Sequence, residues 1–86
     1  MVKVSSLIDE FFSNNVYDNC RIIVIDEHYK IIFCDMLEHI LFKTYKFLKN
    51  YELVSWSTDF KLTGNVSTNV CVVFCKFIND NKRVSA

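Results

Sequence analysis

The chain has 86 residues, 51 % hydrophobic and 15 % aromatic, a composition that excludes intrinsic disorder and suits one domain with one modest core. Its formal net charge is zero, but seven acids against three bases put −4 on residues 1–42, and seven bases against three acids put +4 on residues 43–86. Neither half is basic enough to indicate general nucleic-acid binding, and no apolar run is long enough to span a bilayer.

At the start, Met1-Val2-Lys3-Val4 runs into polar Ser5-Ser6 and acidic Asp9-Glu10 without the apolar region of a secretory leader. An intracellular protein with reduced cysteines is expected. Ser5 or Ser6 can cap a short helix, with Asp9 completing a capping-box pattern. Leu7, Ile8 and Phe11 form its apolar side, and the helix stops near Asn14-Asn15. Asp18-Asn19 then turns the chain into a first strand.

Residues 20–50 are the organising unit. Apolar runs at 21–25 and 31–33 flank the polar turn Asp26-Glu27-His28-Tyr29-Lys30, which reads as a hairpin. Folded about Glu27, it sets Ile22 opposite Ile32, Ile23 opposite Ile31 and Cys20 opposite Cys34. One face then carries Cys20, Ile22, Val24, Ile32 and Cys34, and the other Ile23, Ile25, Ile31 and Phe33. Both faces are apolar, so both need cover from helices, another sheet or a partner chain.

Asp35 can cap a second helix, with Glu38 three residues on. Leu37, Ile40, Leu41, Tyr45 and Leu48 fall on one stripe, with His39, Lys43, Lys46 and Lys49 opposite and Phe42 among them. Residues 51–59 alternate as a third strand. The only glycine, in Gly64-Asn65, marks a turn within 60–68. Residues 69–78 are apolar on both sides and suit a central fourth strand, whereas 79–86 are polar and expected to fray. The order α-β-β-α-β-β predicts a single α+β domain over 1–86, with a four-stranded, largely antiparallel sheet and helices packed on it.

Four cysteines are the first chemical candidates. Zinc takes four thiolate or imidazole ligands, and Cys20, Cys34, one of Cys71 or Cys75, and His39 would make a mixed site. No CxxC knuckle accompanies them, and Cys71 and Cys75 lie on the order of 13 Å apart along a strand. Core thiols are the preferred reading, with no cofactor, and a small zinc-binding structural module is the alternative. Cysteine catalysis is disfavoured, because Asp35 and Glu38 oppose thiolate formation at Cys34 and His39 projects to the polar side of its helix. The adjacent acids Asp9-Glu10 and Asp26-Glu27 diverge and do not form an acid–base pair. For partner binding, the candidates are Phe42 with Lys43, Lys46 and Lys49, and the acidic turn residues Asp26 and Glu27.

The succession MVKVSSLIDEFF, NCRIIVIDEHYKIIFC, DMLEHIL and YELVSW, rich in Lys, Asn, Ile and Phe, resembles small proteins encoded by phages and prophages of low-GC bacteria. That resemblance spans most of the chain as a pattern and carries no diagnostic motif. It implies a non-enzymatic inhibitor acting in the host bacterial cytoplasm on a defence protein. An anti-CRISPR protein that binds a CRISPR effector nuclease is the example. A homodimeric accessory protein, covering its second apolar sheet face with its own copy, is a further alternative.

Overall fold

The structure is a computed structural model that describes residues 1–14 and 19–78. Helix α1 (Val4–Ser13) buries Val4, Leu7, Ile8 and Phe11, the i, i+3, i+4, i+7 positions of one helical face. No serine caps it. Lys3 is the N-cap residue, and its carbonyl accepts the backbone N–H of Ser6 at 3.0 Å. Ser5 is instead buried. The lead-in is tied to the sheet, because Leu53 N–H donates to the Val2 carbonyl at 2.8 Å.

Four strands follow: β1 (Cys20–Ile25), β2 (Ile31–Met36), β3 (Tyr51–Thr63) and β4 (Val66–Phe77). They form one sheet in the order β2-β1-β4-β3. Both hairpins are antiparallel, but β1 and β4 run parallel, so the sheet is mixed. Strand β4, apolar on both sides, takes a central position as its composition predicts. The second hairpin is longer than the sequence suggests. It turns at Gly64-Asn65, with Gly64 at φ +62°, a conformation that favours glycine.

The helix expected from Asp35 onward is broken. Strand β2 continues through Asp35 and Met36, which lie opposite Ile22 and Arg21. A single 3₁₀ turn, η1 (Leu37–His39), and a short helix, α2 (Phe42–Leu48), follow. The Asp35 carboxylate does not cap a helix; it accepts Met36 N–H at 2.6 Å and meets the His39 ring at 3.1 Å. Topology explains the break. Strands β2 and β3 are opposite edges, so residues 37–50 must cross about 14 Å of sheet, three strand spacings. A turn, a link and a short helix make that crossing while burying Leu37 and Leu48 completely.

One core results. Cys20, Ile22, Val24, Tyr51, Cys71, Val73 and Cys75 line the covered sheet face, beneath Val4, Leu7, Ile8, Phe11, Leu37 and Leu48. Small thiols alternating with branched side chains let the helices approach closely. Among the described residues, no helix is long and apolar enough to cross a membrane.

Candidate functional site

Helix α2 has only two turns and gains its stability from docking rather than propensity. Leu48 is fully buried, and the Tyr45 hydroxyl donates to Asp9 Oδ2 of α1 at 2.7 Å. That bond to a carboxylate pushes the Tyr45 hydroxyl above the usual phenol range. With Tyr45 and Leu48 turned inward, Phe42 is left 74 % exposed. The Lys46 ammonium sits 5.6 Å from the centre of the Phe42 ring, and the Lys49 ammonium 5.3 Å from that of Tyr45. Both contacts are cation–π pairs on an open surface. Lys43 and Leu41 are exposed beside them. The structure thus brings Phe42, Lys43, Lys46 and Lys49 together as one basic surface with an aromatic centre.

The acidic turn does different work. Asp26 Oδ1 accepts the backbone N–H of His28 at 2.9 Å and of Lys30 at 3.0 Å, closing the turn around Tyr29 at φ +60°. The Lys30 and His28 amides hold the Asp26 carboxyl below its ordinary value. Glu27 Oε2 accepts Phe77 N–H at 3.0 Å, just beyond the last residues that β1 pairs with β4. Each acid therefore has one oxygen committed to the fold.

The proposed zinc ligands are not brought together. The hairpin pairs Ile23 with Cys34 and Val24 with Phe33, not Cys20 with Cys34. This register is offset by three residues from the expected one, an odd shift that moves Cys34 to the sheet face opposite Cys20. Two residues of the offset come from a turn centred on His28 rather than Glu27, and the bulge between Val24 and Ile25, which two apolar runs do not reveal, adds the third. Cys20, Cys71 and Cys75 are buried under the helices, whereas Cys34 is exposed. His39 is exposed and held by Asp35. Among the described residues, no three His, Cys, Asp or Glu side chains converge on a common point. Burial pushes the Cys71 thiol up to about 12, with the Cys20 thiol adding to it, and the Cys75 thiol up to about 11. Cys20 is raised for the same reason. These three are core thiols, kept protonated by desolvation.

A second surface emerges on the face of the sheet away from the helices. Directly paired residues share a face. Ile23, Ile25, Val70, Val72 and Phe74 therefore stand together there, with Cys34 and Ile31 at one side and the polar Ser55, Ser57 and Asp59 of β3 at the other, next to Val54 in the β3 bulge. The β1 and β4 residues in this group are only partly buried, although their strands are central, and Ile31 and Val54 are 58 % and 61 % exposed. Their neighbours on the covered face, Ile22, Val24, Cys71 and Val73, are all at 0 %. The alternation in residues 69–78 signalled this second apolar face. Its position beside the acidic turn was hidden, because the pairing of β1 with β4 is not encoded locally.

The chain matches no protein-family model, no curated protein and no solved structure.

Proposed function

We propose that the chain is a non-enzymatic binding protein of the phage type. It acts in the bacterial cytoplasm by occupying an acidic surface of a host defence protein, with a CRISPR effector nuclease as the target class. The resemblance of the sequence to small phage-encoded proteins supports the target class. The contact is supported by one observation: Phe42 stands 74 % exposed with the Lys46 ammonium 5.6 Å from its ring. An open aromatic under a cation is what a binding anchor looks like before its partner arrives.

Lys46 lies over that anchor, Lys43 is exposed next to it in sequence and Lys49 stands over Tyr45, and their charge sets the sign of the partner surface, which is acidic. The acidic turn is the weaker candidate for this contact, since Asp26 and Glu27 each spend an oxygen on backbone amides.

The test is affinity for purified effector nucleases, measured with the wild-type chain and with a Lys43→Glu, Lys46→Glu pair. The pair should weaken binding at least tenfold and leave the circular dichroism spectrum unchanged. Binding that survives the double reversal intact places the contact elsewhere. Failure of the wild-type chain to bind any such nuclease removes the inhibitor reading.

A further inference from the structure

Strand β3 is one edge of the sheet and, at 13 residues, its longest strand. Its outer side is used only at the start. Lys3 bridges to Glu52 there, and Leu53 N–H donates to the Val2 carbonyl. Among the described residues, nothing pairs with the outer side of residues 54–63. That run of backbone presents unpaired N–H and C=O groups, a template on which another strand can form. The usual devices that close such an edge are scarce. The chain has no proline, the bulge lies between Leu53 and Ser55 at the start of the run, and Lys61 is its only lysine. Val54, Trp56 and Leu62 are 61 %, 45 % and 64 % exposed along it.

The order of residues on this edge favours a second copy of the same strand. In an antiparallel pair built on a two-fold axis, directly opposed residues share a sheet face, so one residue must meet itself on the axis. Residues 54–63 allow two registers of nearly full overlap, centred on Thr58 or on Asp59. Centring on Asp59 sets two carboxylates directly opposite each other, which destabilises the pair. Centring on Thr58 sets threonine opposite threonine, a favourable cross-strand pair. The same register matches the other positions by type. Trp56 comes opposite Phe60, Val54 opposite Leu62, and Asp59 and Lys61 opposite Ser57 and Ser55. No charge meets its like.

We infer that the chain forms a symmetric homodimer by antiparallel pairing of β3 with β3 of a second copy, centred on Thr58. The axis runs through the sheet, so the two sheets become one continuous sheet with the helices of both copies on the same side. Pairing over residues 54–62 adds about eight backbone hydrogen bonds, within the number that a protein interface carries. The contact is narrow, which makes the dimer weak and its population dependent on concentration. It rests on β3 alone and not on the inhibitor reading, which uses α2.

The experiment is sedimentation velocity of the full chain over a concentration series reaching about 500 μM, which populates a dimer with a Kd of that order. A concentration-dependent dimer is expected. Thr58 is exposed, so a charged side chain is accepted there without disturbing the core. Thr58→Lys and Thr58→Glu should each weaken association at least tenfold, because like charges then meet across the axis. An equimolar mixture of the two should restore the dimer, because opposite charges meet. A strict monomer of the wild-type chain throughout overturns the proposal and leaves the edge for a strand of another protein. So does a dimer that either variant retains, or one that the mixture of folded variants fails to restore. Hydrogen exchange of the wild-type chain is a readout without any substitution. The outward amides within residues 54–62 should slow as concentration rises, and those at the β2 edge should not. Exchange at residues 54–62 that is independent of concentration, whether fast or slow throughout, contradicts the dimer. In the slow case the edge is covered by the chain's own residues.

Discussion

Individual residues divide here into those that build the fold and those that face outward, and burial separates them chemically. Cys71 and Cys75 are desolvated enough that their thiols rise to about 12 and about 11, so almost no thiolate forms near neutral pH. Cys34 is exposed. In dilute native protein, a thiol reagent should therefore modify one cysteine rapidly and the other three only after denaturant is added. Peptide mapping should place the fast one at Cys34. Rapid modification of Cys20, Cys71 or Cys75 would mean that the covered face is open. Tyr45 offers a pH test. Its bond to the Asp9 carboxylate raises the folded-state value, so its contribution is complete below the unfolded phenol value of about 10. It is lost as pH rises through the higher folded value. Burial raises the Tyr51 phenol as well, so tyrosinate absorbance should show late ionisations at Tyr45 and Tyr51, and Asp9→Asn should move only the first of these down. A titration indifferent to Asp9→Asn would remove the link between α1 and α2.

The short elements depend on single anchors, and this predicts where stability and binding part company. Leu48 fixes α2 to the core, and Leu48→Ala should cost about 2–5 kcal/mol in denaturant unfolding, the range for deleting a buried leucine. Phe42→Ala, two turns away in the same helix, should change stability by no more than about 0.5 kcal/mol and should be felt in partner affinity. A comparable loss of stability from both would show that Phe42 is a packing residue. Periodicity made much of this scale legible. The buried stripe of α1, the turn at Gly64-Asn65 and the two faces of β4 follow from the spacing of apolar residues. What misled was Asp35, whose spacing to Glu38 mimics a capping box while its backbone is still paired with Ile22. The hairpin register failed for a related reason. Ile22, Ile23, Ile31 and Ile32 are nearly interchangeable, so one-residue choices change the faces without changing the apolar pattern.

At the level of the whole molecule, pairing between distant segments decides the outcome. The two hairpins were legible, but their joining through parallel β1 and β4 was not, because no local residue choice distinguishes the two directions. That pairing puts Phe74 next to Ile25 and creates the continuous apolar face beside Asp26 and Glu27. It also sends the segment from β2 to β3 across the opposite face, which is why the helices lie together there. The molecule consequently has two sides of different chemistry. One side is helical and presents Phe42 with the lysines of α2. The other is a sheet face with an apolar centre, charged at both ends by residues of both signs, Arg21 with Asp59 at one and Asp26 and Glu27 with Lys76 at the other. The candidate contact on α2 was visible in the sequence because lysines at helical spacing stay outside wherever the helix begins. The cysteine constellation dissolved because it needed one register of one hairpin.

The most direct examination is an amide NMR spectrum of isotope-labelled protein at fixed concentration, alone and with an equimolar purified CRISPR effector nuclease. The account predicts shifts or broadening concentrated at Phe42, Lys43, Lys46 and Lys49, with the buried amides of Ile22, Val24 and Val73 unmoved. A spectrum that the nuclease leaves unchanged, or changes confined to residues away from α2, would contradict it.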